Sequence, residues 1–512
     1  MAKFDFNPKT YQKKLKPLLE ELVSGKTYDL VLRRYPKTKT RLFTKAEVIS
    51  ALKFFHYPPS LIAKPIRTAS GVVPVTVLTK PYPCPGRCLY CPNDPKMPKS
   101  YLSLEPGAQR AAANQFDPYR QVSSRLTTYQ ANNHSVAKVE LIILGGTWSF
   151  YPKTYQSWFI QRCFDALNQS RSHSLKQAQI LNETADSRCV GLSLETRPDF
   201  ISLAELIRFR RLGCTKIQIG LQSLSDKILS LNQRGHSVKT SQQAIALLRR
   251  FGFKIQAHWM ANLYGSTPQK DLIDFKKLFN DPAFRPDELK IYPCSLIRSS
   301  RLYQNYLNGS WQPYSAKQLF DLMVKVLSLV PAYCRVSRMI RDFSASDIVA
   351  GNTTSNLRQL VEQQLIRQGI KIQEIRFREI RRQPISLSTL KLNSIAYQAS
   401  ASTEIFFQYL ASKNQIAAFL RLSLPKLKPL IQELADSAII REVHVYGPAL
   451  NLGASPKTQH LGLGIKLIQQ AVKTAKKYRY KNLAVISAVG TKEYYRRQGF
   501  TDGQLYQHLK VG

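Results

Sequence analysis

The sequence predicts an α/β protein in three parts. A basic helical segment spans 1–70, a larger α/β domain spans 71–384, and a smaller mixed α/β domain spans 385–512. Three observations carry this reading. From about residue 71, apolar strands alternate with helices through at least six units, the pattern of a parallel sheet with helices outside. That favours a full or partial (β/α) barrel, with an open doubly wound sheet as the alternative; both put their chemistry in the loops after strand ends. At about 385 the pattern changes to short strands and turns, which reads as antiparallel β. The first 70 residues have helical periods only.

In chain order, 15-LKPLLEELVSG-25 and 46-AEVISALKFF-55 are helices, with the basic 33-RRYPKTKTR-41 between them. Strands are expected at VVPVTVL (72–78), VELIILGG (139–146), CVGLSLET (189–196), KIQIGLQS (216–223), KIQAHWMANL (254–263) and ELKIYPC (288–294). Helices separate them at 157–168, 202–213, 240–252 and 272–280. In the last part, strands are expected over 387–400, 402–412, 415–424 and 439–450. A glycine turn, the helix 463–478, the strand 482–489 and the short helix 491–498 follow. No repeat links the two α/β parts, so they are expected to perform different tasks.

The charge is +42, from 75 Lys and Arg against 33 Asp and Glu. It exceeds what solubility needs and points to a polyanionic partner, nucleic acid before an anionic membrane surface. Residues 1–70 alone hold 15 basic against 5 acidic residues. No run of about 18 apolar residues would span a membrane, and the start lacks the apolar region of a signal peptide. Eight scattered cysteines in a chain of this size are not a disulfide scaffold, and a reducing cytoplasm is the expected location.

Three of these cysteines crowd into 81-PYPCPGRCLYCPNDP-95, directly after a strand. A structural zinc site wants four ligands, and no fourth cysteine or histidine lies nearby. Cys84, Cys88 and Cys91 can instead hold three irons of a [4Fe–4S] cluster, leaving the fourth open to a non-protein ligand. Zinc completed by a distant ligand, and plain packing, are the alternatives.

The 3+2 cysteine spacing resembles the radical S-adenosylmethionine superfamily. The wider stretch 81-PYPCPGRCLYCPNDPKMPKSYLSLEPGAQRA-111 resembles the catalytic subunit of Elongator and its stand-alone prokaryotic homologues. That resemblance implies a partial barrel whose open iron binds S-adenosylmethionine. It places Gly145, Gly146 and Thr147 of 141-LIILGGTWSFYP-152, Glu195 and Arg197 of 191-GLSLETRPD-199, and Gln222 in the cofactor site. Taken alone, the glycines would suit any tight turn, and Glu195 with Arg197 could be a surface pair. His258 alone reads as a core histidine, and the loop after it, 260-MANLYGST-267, departs from the Gly/Pro-rich strand end usual in relatives. Near Phe377, where many relatives carry a small cysteine cluster, this chain has no cysteine, and no second metal is expected.

In the last part, Gln459, His460, Leu461, Gly462, Leu463 and Gly464 form a glycine loop that opens a helix, where backbone N–H groups can cradle a diphosphate. With 494-YYRRQGF-500, the order resembles the acetyl-CoA-binding fold of N-acetyltransferases (GNAT-like). Tyr494 and Tyr495 would then sit near the thioester; taken alone, each could be a core aromatic. Relatives often have Arg at the position of Leu461, and its absence removes a phosphate contact.

The resemblance implies a tRNA uridine(34) carboxymethyl-forming acetyltransferase. S-adenosylmethionine is cleaved to a radical, which activates the acetyl methyl group of acetyl-CoA. That carbon adds to C5 of the wobble base in the anticodon stem–loop. An electron donor is required, and the compact CPGRC spacing favours a stand-alone enzyme without accessory subunits. The rival readings are a protein lysine acetyltransferase with a structural cluster, a non-catalytic tRNA-binding protein, and a radical enzyme acting on another nucleotide without acetyl-CoA.

Overall fold

In the computed structural model, residues 6–38, 40–57, 71–380, 387–446 and 462–512 are described. The larger sheet runs from β1 (Val73–Leu78) through β2 (Lys138–Leu144), β3 (Arg188–Thr196), β4 (Lys216–Gln222), β5 (Lys254–Trp259) and β6 (Glu288–Ile291). After the two-residue β7 (Leu296–Ile297), it closes with β8 (Arg335–Arg338); β9 (Ile348–Ala350) pairs only with β7. The order is β1-β2-β3-β4-β5-β6-β8, every neighbour parallel. β1 and β8 are its two ends, so the curled sheet is a partial barrel and not a closed one.

Alternation along the strands builds two different faces. Val75, Leu141, Ile219, Ala257 and Leu289 join Phe159, Phe164 and Phe209 of the outer helices in one apolar core. The opposite face carries Glu140, Ser193, Glu195, Lys216, Gln218, Gln256, His258, Glu288 and Lys290. The sequence leads one to expect apolar strands; β4 to β6 instead alternate apolar and polar residues, because their concave side is polar.

Several elements were not read from the sequence. Two helices, Pro106–Ala113 and Pro118–Ala131, lie between β1 and β2. The signal for the second was present: Asp117 accepts from the Arg120 N–H as an N-cap, and Pro118 opens the helix. Helices Ala316–Ser328 and Leu357–Arg367 flank β8. β8 itself is the four-residue RVSR, too short and too charged to show a strand period.

The N-terminal helices Gln12–Val23, Tyr28–Arg34 and Lys45–Phe54 close on a core of their own, with Leu15, Leu18, Leu19, Val48 and Leu52 at its centre. The second sheet contains β10 (Lys391–Gln398), β11 (Ser402–Leu410), β12 (Ile416–Pro425), β13 (Ser437–Val445), β14 (Asn482–Val485), β15 (Thr501–Asp502) and β16 (Gln507–Lys510). β10 to β13 form an antiparallel run, as expected. β13 and β14 are parallel, joined across the helix Leu463–Lys477. Their pairing ends at Ile440 and Val485, while β13 continues to Val445. The two strands therefore part, and a wedge opens between them. Residues 482–489 were expected as one strand; Ile486 makes the last bond, to the Ile440 carbonyl, and 487–489 leave the sheet and enter a short 3-10 turn at Val489–Thr491.

Candidate active site

The strand ends of the partial barrel bring the cysteine loop and the other sequence-selected residues together. The Cys84 Sγ lies 3.6 Å from the Thr147 hydroxyl, which follows β2. Gly146 packs against the next loop: a Cβ there would stand 3.1 Å from the Lys99 carbonyl, and its φ is +82°. Gly145 turns tightly against Thr79, whose hydroxyl is bonded to Tyr151. Glu195 and Arg197 do not pair with each other. Glu195 accepts from the Tyr101 hydroxyl at 3.0 Å, with the His258 ring 3.9 Å away. Arg197 is held by Asp199 at 2.9 Å and by the Arg234 carbonyl at 2.8 Å. Gln222 ends β4 in the left-handed region, at φ +71°.

The electrostatics around the loop suit a bound anion. Burial opposes ionisation of Cys88, but the Arg234 and Arg197 guanidinium groups outweigh it and hold that thiol below its usual range. Burial, reinforced by Cys88, pushes Cys91 up to about 12. Burial and the surrounding cations Lys290, Arg341, Arg234 and Arg338 keep His258 neutral. Burial brings the Lys290 ammonium down to about 7 despite Glu195. Several buried polar atoms lack hydrogen-bond partners: Arg197 Nη1, Arg234 Nε, Gln222 Oε1, His258 Nε2 and both His236 nitrogens. Buried groups in that condition are costly, and their concentration around one loop marks a place built for a polar ligand. His258 is thus not a satisfied core histidine.

The three cysteines are unpaired and half-buried. Among the described residues no three Cys, His, Asp or Glu side chains converge on a single point. Three thiol donors on one half-buried loop, with the Arg234 and Arg197 guanidinium groups beside Cys88, are a donor set that suits an anionic cluster.

A second feature lies at the opposite ends of the same strands. A cavity of about 650 Å³ is bounded on one side by the first residues of β2 to β6 and β8, and on the other by the wedge of the second sheet. Gly462, Leu463 and Gly464 line it, with Tyr494 and Tyr495. Gly462 starts the helix at φ +74°, with no side-chain cap. A Cβ on Gly464 would stand 2.6 Å from the Tyr494 hydroxyl, so the glycine keeps the backbone open to the cavity. The tyrosines differ: Tyr494 is 38% exposed, whereas Tyr495 is 7% exposed and packs edge-on against Phe500. Gln459, His460 and Leu461 lie outside the described residues.

The model of the Radical SAM superfamily matches residues 82–275, and that of the Radical_SAM C-terminal domain matches 286–367. The tRNA uridine(34) acetyltransferase of Dehalococcoides mccartyi is 41% identical, over 86% of this chain and 99% of its own. The chain belongs to the tRNA uridine(34) acetyltransferase/Elongator complex protein 3 family. Elongator complex protein 3 of Saccharomyces cerevisiae is 32% identical over 98% of both chains. The solved structure of Methanocaldococcus infernus Elp3, lacking residues 1–46, superposes with a TM-score of 0.76 at 35% identity, covering 86% of this chain and all of that one.

Beside the expected residues of this family member, the structure adds Tyr101, Tyr292, Lys290 and Arg341. The Arg341 guanidinium lies 5.5 Å from the Tyr101 ring and 5.7 Å from the Tyr292 ring, near Glu195. Nothing local marks Arg341 in the sequence, since it follows the unread strand β8. Lys290 could have been found: in ELKI the polar Glu288 and Lys290 alternate with Leu289 and Ile291, which puts both on the inward face.

Proposed function

We propose that this chain builds a carboxymethyl group on C5 of uridine 34 in tRNA, taking the two carbons from acetyl-CoA. Family membership supports the tRNA-modifying activity. The observation that carries the reading is the pairing, in one body, of a three-cysteine loop at the strand ends with a glycine-lined cavity at the strand starts.

Cys84, Cys88 and Cys91 would hold a [4Fe–4S] cluster. With S-adenosylmethionine on the open iron, that group supplies one-electron cleavage and radical chemistry. The chain's own part is placement and charge. Gly145, Gly146, Thr147, Glu195, Arg197 and Gln222 would line the nucleoside cofactor, with the unsatisfied Arg197 and Gln222 atoms as its hydrogen-bond partners. Gly462, Leu463 and Gly464, with Gln459, His460 and Leu461 before them, would cradle the diphosphate of acetyl-CoA in a GNAT-like fold. Tyr494 points its hydroxyl toward that glycine turn and would give a proton to the departing thiolate, while Tyr495 forms the wall behind it. The basic helical segment 1–70 would hold the anticodon stem–loop, whose unstacked bases can leave the stack for chemistry. Among the described residues no helix is long and apolar enough to cross a membrane. An external electron donor completes the reaction, and the chain is proposed to act in the cytoplasm without accessory subunits.

The test is anaerobic reconstitution with iron, sulfide, a reductant, S-adenosylmethionine, acetyl-CoA and tRNA, followed by nucleoside mass analysis. Carboxymethyluridine is expected with the wild type. It should be absent with Cys84→Ala/Cys88→Ala/Cys91→Ala, which should still bind acetyl-CoA. An undiminished iron–sulfur spectrum in the triple variant would overturn the cluster assignment. Acetylated protein without modified tRNA would favour a lysine acetyltransferase.

A further inference from the structure

The floor of the cavity is crowded with cations, and nearly all of them are matched. Lys216 pairs with Glu140 and Glu288, and Lys254 pairs with Glu288 and Glu442. Arg335 pairs with Glu379, Arg421 with Glu442, Arg441 with Asp287, and Arg497 with Glu493. Two cations stand outside this pattern. Lys138 opens β2 and Arg188 opens β3, and the sheet register sets them directly beside each other. Both line the cavity. Among the described residues neither has an ion-pair or side-chain hydrogen-bond partner.

We propose that Lys138 and Arg188 form an anion site, contributed by the radical domain, for a phosphate group of the acyl carrier. This rests on the acetyl-CoA reading above. Two adjacent, half-buried cations repel each other, and a bound phosphate reverses the sign of that interaction. Burial and the neighbouring Arg188 charge already hold the Lys138 ammonium below the usual lysine range. The pair is also anchored to the second module. A Cβ on Gly490 would stand 2.6 Å from the Arg188 Cβ, so this glycine lets the start of β3 dock against the turn that leads into Tyr494.

The glycine turn itself needs such help. Coenzyme A carries a diphosphate and a 3′-phosphate, whereas a helix N-terminus offers the equivalent of roughly half a positive charge. Gln459, His460 and Leu461 include no permanent cation, one lysine, Lys457, precedes them, and the helix Leu463–Lys477 begins with none before Lys466. One lysine does not match three phosphate groups, and further charge is found across the cavity. A carrier phosphate suits the pair better than an RNA backbone, because both side chains are partly buried between the two modules.

The experiment titrates the full chain with coenzyme A and with 3′-dephospho-coenzyme A by calorimetry, in the wild type and in Lys138→Met/Arg188→Met. The double variant is expected to bind coenzyme A at least about tenfold more weakly, with tRNA affinity by filter binding unchanged. If dephospho-coenzyme A is insensitive to the variant, the pair holds the 3′-phosphate; if it weakens equally, the pair holds the diphosphate. Lys138→Arg/Arg188→Lys, which keeps the charge, should restore affinity and separates charge from folding. Unchanged coenzyme A affinity in the double variant overturns the proposal, as does a loss of tRNA affinity in its place. A wild type that binds no coenzyme A overturns the acetyl-CoA reading itself, and this site with it.

Discussion

Arg234 lies beneath the cysteine loop with one end of its guanidinium fixed. Its Nη2 donates to the Gly220 carbonyl at 2.7 Å, which leaves Nη1 3.6 Å from the Cys88 Sγ. Gly220 permits this, since a Cβ there would meet Nη2 at 2.7 Å. A fixed cation favours the more negative, reduced state of any cluster on that thiolate. Arg234→Met is therefore expected to lower the cluster midpoint potential by on the order of 50 mV, a roughly tenfold effect for one electron. A redox titration followed by electron paramagnetic resonance reads it; an unchanged midpoint would mean that the guanidinium does not sense the cluster. At this scale the cysteines were legible, because three thiols within eight residues are a local pattern. The Arg234 contact was not, because 146 residues separate it from Cys88. Glu195 and Arg197 show the opposite error. Closeness in sequence suggested a pair, but residues two apart on an extended strand end share a face without having to meet, and each found a different partner.

Between elements, the decisive joint is at Asp287, one residue before β6. It is fully buried, and Arg441 of β13 grips both its oxygens at 2.6 Å. Arg421 of β12 and Arg249 stand 3.6 and 3.9 Å away, and Glu404 of β11 pairs with Arg441 at 2.7 Å. These cations hold the Asp287 carboxyl far below the usual range despite its burial. The network ties the start of β6 to the middle of the second sheet. Removing one member strands a buried charge, so Arg441→Met is expected to cost about 3–5 kcal/mol. Urea unfolding should show this as a lower midpoint. A loss below about 1 kcal/mol would mean that the joint is dispensable. Strand and helix order was largely readable here, because apolar periods repeat across long segments. The short β8 and the early end of β14 were not, since both depend on which neighbour is available to pair.

Over the whole molecule, the proposed chemistries lie at opposite ends of the same strands. A seven-residue strand spans about 23 Å, so the proposed reading requires the acyl carbon and uridine to meet along the concave face of the partial barrel. Along β4 to β6 that face is polar. Lys216 and Glu288 stand at the floor, Gln218 and Lys290 share a hydrogen bond above them, and His258 and Glu195 stand at the top. The net charge of +42 acts at the same scale. A substrate held through phosphate contacts releases counterions, so tRNA affinity should fall by about tenfold or more between 50 and 200 mM salt. Gel-shift titrations at several salt concentrations measure the slope, and a flat dependence would argue that the surplus charge serves something other than RNA.

The sequence by itself determined the family, the cysteine loop, the glycine turn at 462–464, the alternation that builds the larger sheet and the basic character of the surface. All of these reside in local spacing or in composition, which need no folding to be read. Only the tertiary structure decided that the inner face of β4 to β6 is polar, that Tyr494 and not Tyr495 is the more exposed at the cavity, and that Lys138 and Arg188 stand side by side with no acidic partner among the described residues. These depend on strand register and on contacts between residues far apart in the chain. Local spacing does not encode which distant segments pack together, so these contacts exist only once the chain has folded.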